Sequence, residues 1–213
     1  MGSTGMTDFP KCWSCERPAG TADTCAACGK LQPPRASDYF AYLGIPRSYH
    51  VDLDRLGEVL REKSRQFHPD RFARAEPRER TNSLSHTTYL NDAVRTLRDP
   101  QRRAEYVLSL YGLKAGANDR ERAKMDPSFL MEMMEVREAL ADAKAAADKP
   151  ALDKIGSQAK SERDALLAKA EARFAAWEQD LANKKPLEDV VPLLDKIRYF
   201  EQIVAEAAGL PIH

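Results

Sequence analysis

RQFHPDRF, residues 65–72, is the stretch on which the reading of the chain turns. It closes the run DLDRLGEVLREKSRQF, residues 52–67, where Leu53, Leu56, Val59, Leu60 and Phe67 recur near one helical face behind a capping Asp52. Pro69 disfavours helical geometry at His68, so the helix has to stop there. His68, Pro69 and Asp70 then present an imidazole and a carboxylate on a stiff, exposed corner. Around it, residues 61–74 carry five basic side chains (Arg61, Lys63, Arg65, Arg71, Arg74) against Glu62 and Asp70, a net +3. A rigid turn beside a basic helix face suits an acidic docking partner. The plain alternative is a helix stop with solvated charges. A His–Asp acid–base pair is a third reading, weak because no nucleophile or metal partner accompanies it.

Outward from the corner, the chain is helical. DYFAYLG, residues 38–44, is a short helix capped by Asp38 and ended by Gly44, and IPRSYHV is loop. After a loop over 68–77, a third helix spans about 78–98, with Leu84, Leu90, Val94 and Leu97 at helical spacing. Asp99-Pro100 opens a fourth, which runs to about Tyr111 before Gly112. Residues 113–125 are polar and read as a linker. Asp126-Pro127 opens a further helix, and Lys149-Pro150 marks a turn. A long helix follows, with Leu152, Ile155, Leu166, Ala170, Phe174, Trp177 and Leu181 on one side. Pro186 opens the last, with Val190, Leu194, Ile197, Phe200 and Val204 facing inward. Short connections make these three helices antiparallel neighbours around one core.

The bulk numbers limit the function classes. The 213 residues are 31% charged with zero net charge, so no global field points to nucleic acid or a membrane. No apolar run is long enough to span a bilayer. Residues 1–11 lack the apolar core of a secretory signal, and Met6 breaks the myristoylation pattern. The expectation is a soluble intracellular protein, or a mature chain whose presequence is missing. The four histidines are scattered and no GxxxxGKS loop occurs, so an enzyme is the weakest reading.

Residues 1–35 differ from the rest. KCWSCERPAGTADTCAACGK places Cys12, Cys15, Cys25 and Cys28 as two CxxC pairs with nine residues between them. Each pair can curl around one ion, and two curls complete a tetrahedral thiolate shell, so a structural zinc site is expected. Gly29 would let the backbone approach the sulfurs. The segment has too few apolar side chains to fold alone, and a metal supplies the missing stabilisation. Iron satisfies the same ligands. Free thiols, disulfides and a redox CxxC are the other readings. A nucleic-acid zinc ribbon is disfavoured, since Lys11, Arg17 and Lys30 are the only basic residues of that 11–30 stretch. The module is expected to be a knuckle packed near the helical domain that follows.

FLMEMMEVREALADA, residues 129–143, is the second anomaly. Phe129, Leu130, Met131, Met133, Met134 and Val136 are more apolar positions than one buried stripe needs. Asp126, Glu132, Glu135, Glu138 and Asp142 against Arg137 leave the helix at −4. Part of this set packs in the bundle. The methionine excess beside acids suggests an adaptable protein-binding face, for a partner or for self-association.

The order DYF–LG–IP, basic helix, HPD, loop, NDAVRTLRDP and RRAEYVL resembles a J-domain. In that family the HPD turn and the basic helix before it engage an ATP-driven chaperone of the DnaK type. The resemblance assigns His68, Pro69 and Asp70 to stimulating its ATPase, and Arg61, Lys63 and Arg65 to steering contacts. Followed by FLME–MEVREAL and a late IRYFEQI, the chain over residues 38–208 is similar to the HscB or Jac-type co-chaperones of iron–sulfur cluster biogenesis. The likeness implies a scaffold-binding face on Leu130, Met131, Met134, Glu135, Glu138 and Tyr199. Met134 and Tyr199 depart from the family's usual Leu and Phe but remain large and apolar. The tetracysteine module is absent from many bacterial members and resembles that of animal members.

The expected architecture is all-α: a tetracysteine module with its linker over 1–35, a J-domain hairpin over 36–112, a linker over 113–125 and a three-helix bundle over 126–213. The expected role is a non-enzymatic co-chaperone bringing an IscU-type scaffold to a DnaK/HscA-type chaperone. A bacterial cytoplasm is the first setting and a mitochondrial matrix the second. A J-protein for another client, or a zinc-dependent nucleic-acid-binding J-protein, are the alternatives.

Overall fold

The structure, a computed structural model, describes residues 10–115 and 126–210. Residues 1–9 of the expected module and most of the expected linker over 113–125 lie outside the described residues. The chain divides into two compact units, residues 1–100 and 101–213.

In the first unit, α1 (Tyr39–Leu43), α2 (Leu53–Phe67) and α3 (Pro77–Arg98) follow the cysteine segment, with a 3₁₀ turn at Pro69–Phe72 inside the expected loop. The caps act as read. Asp38 accepts from the Ala41 amide, and Asp52 accepts from those of Asp54 and Arg55. Gly44 ends α1 at φ 68°. Packing of α2 on α3 makes the core: Leu56, Val59 and Phe67 meet Leu90, Ala93, Val94 and Leu97, with Phe40 and Leu43 from α1.

Two sequence assignments to this core fail. Leu53 and Leu84 are exposed. The inward stripe of α3's first half is Glu79, Asn82, Ser83 and His86, all buried. That half of the helix faces polar backbone rather than a hydrocarbon layer, and Leu84 is turned to solvent.

The second unit contains nearly all of α4 (Pro100–Leu110), then α5 (Pro127–Ala145), α6 (Lys149–Gln179) and α7 (Lys185–Ala207). Asp126 caps α5 through the Ser128 amide and Asp148 caps α6 through that of Ala151. Leu166, Ala170, Phe174 and Trp177 of α6 pack against Leu187, Val190, Leu194, Ile197 and Ile203 of α7. Phe129, Met133, Leu140 and Ala143 close the core from α5. Val204 is only half-buried; Ile203 holds the inward position. Leu181 lies beyond the end of α6 and is exposed. Across the bundle, Lys144 pairs with Glu206 at 3.0 Å and Arg198 with Glu105 at 2.8 Å. No helix among the described residues is long and apolar enough to cross a membrane.

Candidate functional site

Three surfaces carry the residues singled out above. At the HPD corner, His68 has φ −57° and ψ 129°, the extended geometry that Pro69 imposes on it. Its Nδ1 accepts from the Asp70 amide at 3.3 Å and lies 3.5 Å from Asp70 Oδ2. Both side chains face solvent, 56% and 91% exposed. The corner is anchored from beneath. Phe67 is fully buried, and its carbonyl accepts from Ser83 Oγ at 2.7 Å and Thr87 Oγ1 at 3.4 Å. A carbonyl orphaned by the end of α2 is thereby satisfied. Arg71 reaches back to the Arg65 carbonyl at 3.1 Å.

Arg61 and Arg65 are exposed beside this corner. Lys63 is not. Its side chain is 18% exposed, its ammonium pairs with Asp23 at 3.3 Å, and it lies 4.6 Å from the centre of the Tyr42 ring. Lys63 joins the cysteine segment to α2 rather than extending the basic surface.

The cysteine segment folds into two matched knuckles. The Cys12 amide donates to the Arg17 carbonyl and the Cys25 amide to that of Lys30. The amides of Ser14 and Ala27 each point at the first sulfur of their own pair at 3.4 Å. Isolated bridges from Lys11 to Pro18 and from Thr24 to Leu31 close the two loops. Glu16 and Gly29 occupy equivalent positions with φ 60° and 72°. Gly29 is therefore placed for its left-handed backbone. It is not there for close approach to the sulfurs, since a Cβ there would meet nothing within 4 Å.

The four Sγ atoms lie within 4.8 Å of one another, with Cys12–Cys28 at 3.7 Å and Cys15–Cys25 at 3.8 Å. A tetrahedral shell with bonds of about 2.3 Å requires sulfur separations of about 3.8 Å. For Cys12, burial works against the thiolate, but the amides of Cys15 and Ser14 overcome it and bring the pKa to about 6. For Cys28 the Lys30 amide favours the thiolate, while burial and the three neighbouring sulfurs prevail and push it to about 12. Four thiolates share this space only with a cation among them. The donor set fits a tetrahedral thiophilic metal ion, and among the described residues it is the one group of metal-ligating side chains so gathered.

Sequence reading missed how the knuckles are held. Glu79 accepts from the Leu31 amide and from Lys30 Nζ, each at 3.1 Å. Asn82 donates to the Leu31 carbonyl at 2.7 Å, and His86 Nε2 lies 2.9 Å from the Gln32 carbonyl. Polar residues at positions 79, 82, 83 and 86 share one helical face, which was the available signal.

On α5, Met131 and Met134 are 65% and 63% exposed, and Leu130 is half-buried. Glu135 and Glu138 are exposed and make no ion pair among the described residues. Tyr199 on α7 meets the Phe129 ring edge-on at 5.9 Å, which brings it alongside the first turn of this helix. The neighbouring Met133 is buried in the bundle. Behind the exposed crest, a groove of about 420 Å³ lies between α5 and α6, its lining including Glu132, Glu135, Val136, Ile155 and Glu162. The arrangement offers apolar contact ringed by unpaired carboxylates.

Known proteins share this architecture. The family model described as "HSCB C-terminal oligomerisation domain" matches residues 125–208. The mouse "Iron-sulfur cluster co-chaperone protein HscB" is 32% identical over 206 residues, covering 94% of this chain and 82% of its own. The "Co-chaperone protein HscB homolog" of Vibrio cholerae is 41% identical over 111 residues, 52% of this chain. The crystal structure of human co-chaperone protein HscB superposes with a TM-score of 0.77 at 32% identity, covering 94% of this chain and 98% of that one.

Proposed function

The chain belongs to the HscB family of co-chaperones, J-type proteins of iron–sulfur cluster biogenesis, and from that premise we propose that it joins two specific partners. One is an IscU-type scaffold protein, bound through Leu130, Met131, Met134, Glu135, Glu138 and Tyr199. The other is an ATP-driven chaperone, of the HscA type in a bacterial cytoplasm or the DnaK type in a mitochondrial matrix. It docks on His68, Pro69 and Asp70, steered by Arg61 and Arg65. Lys63 is left out of that set, because its charge is engaged by Asp23.

The observation that carries this reading is the corner itself: two polar side chains exposed on a proline-stiffened turn whose base, Phe67, is immobilised. A preformed loop loses little conformational entropy on docking. The scaffold face supplies apolar area, and its unpaired carboxylates select a partner with basic residues at the rim. Hydrolysis takes place on the chaperone, and this chain contributes surfaces that distinguish partner states. The J-domain on this reading spans residues 36–112. The metal is zinc, held by Cys12, Cys15, Cys25 and Cys28. It supplies a covalent-strength cross-link to a segment with little core of its own.

The test uses His68→Gln in the full chain. Stimulation of a DnaK-type ATPase should fall by at least about tenfold in single-turnover assays. Calorimetric binding to the scaffold should stay at its wild-type value. Normal stimulation by His68→Gln would end the J-domain mechanism. Absence of scaffold binding by the wild type would end the client assignment.

A further inference from the structure

Between the thiolate cluster and the HPD corner runs an unbroken line of buried contacts. Gln32 is fully buried and uses every polar group it has. Its Nε2 donates to Cys12 Sγ at 3.3 Å and to the Lys30 carbonyl at 2.8 Å. Its Oε1 accepts from Arg35 at 3.1 Å, and its amide donates to the Asp23 carbonyl at 2.8 Å. Its carbonyl faces Nε2 of the fully buried His86 at 2.9 Å. A carbonyl can only accept, so Nε2 carries the proton. Nδ1 of the neutral ring then accepts from the Tyr42 hydroxyl at 2.9 Å. The His86 ring is stacked on Phe67 with centroids 4.1 Å apart and planes 20° apart. Phe67 is the last residue of α2, and His68 is next.

We propose that Gln32 and His86 are positioning residues that link metal occupancy of the cysteine knuckles to the geometry of the HPD corner. An amide N–H given to a metal-bound thiolate is a charge-assisted bond of the kind that orients metal ligands. Here the group that gives it belongs to a residue whose carbonyl also fixes the imidazole. The imidazole in turn backs the ring that sets where the chain leaves α2. Without the ion the knuckles lose their cross-link. Glu79, Asn82 and His86 then lose partners they can replace only by admitting water to a buried face. The ring under the corner is freed in the same event. The loaded knuckle thus presents a set corner and the stripped knuckle a loose one. The docking role of the corner rests on the co-chaperone reading above; the mechanical link does not.

The test is amide hydrogen exchange on the full chain, read over residues 66–73 and, as an internal control, over 90–98. Stripping the metal from the wild type should speed exchange over 66–73 by about tenfold or more and leave 90–98 within about threefold. Metal-loaded His86→Leu should behave like the stripped protein, while His86→Gln, which keeps a donor for the Gln32 carbonyl, should restore protection. With cobalt as the bound ion, Gln32→Leu should move the thiolate-to-metal charge-transfer band, a change that general destabilisation does not produce. Wild-type protection in the stripped protein overturns the proposal, as does loss spread evenly over residues 39–98. If His86→Leu fails to fold, the stripped wild type and Gln32→Leu decide. ATPase stimulation by the same loaded samples is scored separately. A loaded wild type that stimulates no DnaK-type chaperone defeats the co-chaperone reading, while the exchange data still judge the link.

Discussion

His68 owes its place to the residue after it. Pro69 forces extended backbone on His68, which stops α2 at the buried Phe67 and turns the imidazole outward. That much was legible, because the restriction is local. The four cysteines were legible for the same reason, since ligand spacing is a property of short loops. The partners of Gln32, Glu79, Asn82 and His86 were not, because contacts about fifty residues away leave no mark in local spacing. His86 gives a pH prediction. Burial penalises its charged form and outweighs the Gln32 carbonyl that favours it, so its pKa lies below the ordinary imidazole value. Above about pH 6.5 both folded and unfolded states hold a neutral ring. Below it the unfolded state takes up a proton the folded state refuses, and stability falls by up to about 1.4 kcal/mol per pH unit. The chain has two tryptophans, so Trp177→Phe leaves Trp13 to report on the first unit. With metal in excess, its urea midpoint should drop from about pH 7 to about pH 5.5, and His86→Gln should flatten the slope. An equal slope in both proteins would assign the effect to other groups.

At the scale of the element, α5 makes opposite demands on adjacent methionines. Met133 points into the bundle while Met134 stands in solvent, although the sequence reads MEMMEV without a visible stripe. Met133→Ala should therefore cost about 2–4 kcal/mol of stability in urea unfolding followed through Trp177. Met131→Ala/Met134→Ala should stay within about 0.5 kcal/mol of wild type. The same double variant should weaken scaffold binding by about tenfold or more, roughly 1.4 kcal/mol by calorimetry. A large stability loss in the exposed pair would return those methionines to the core and remove the binding face. Helix α3 teaches the converse. Its first half is amphipathic with a polar face buried, so a search for hydrocarbon periodicity put Leu84 in the core, where it is not. Helix ends, by contrast, were read well, because caps and prolines act within one turn.

At the scale of the molecule, two compact units carry separate cores, and the four gathered cysteines lie in the first. Chelation should lower the thermal transition of the knuckles, reported by Trp13 between Cys12 and Cys15, by about 5 °C or more and leave that reported by Trp177 within about 1 °C. A single shared transition that moves as one would show that the units unfold together. By itself the sequence determined the all-helical class, the element order, the corner at His68-Pro69-Asp70 and the pairing of the four cysteines for one tetrahedral donor set. Each follows from backbone restriction, helical period or ligand spacing over a few residues. Tertiary structure alone decided that Lys63 is bound to Asp23, that the polar face of α3 is the seat of the knuckles, and which methionines of α5 face solvent. Those outcomes depend on which surfaces meet across distant parts of the chain. Where donors and acceptors on both sides match, burial of a polar face costs little, and within one helix such a face reads the same whether it meets solvent or a partner.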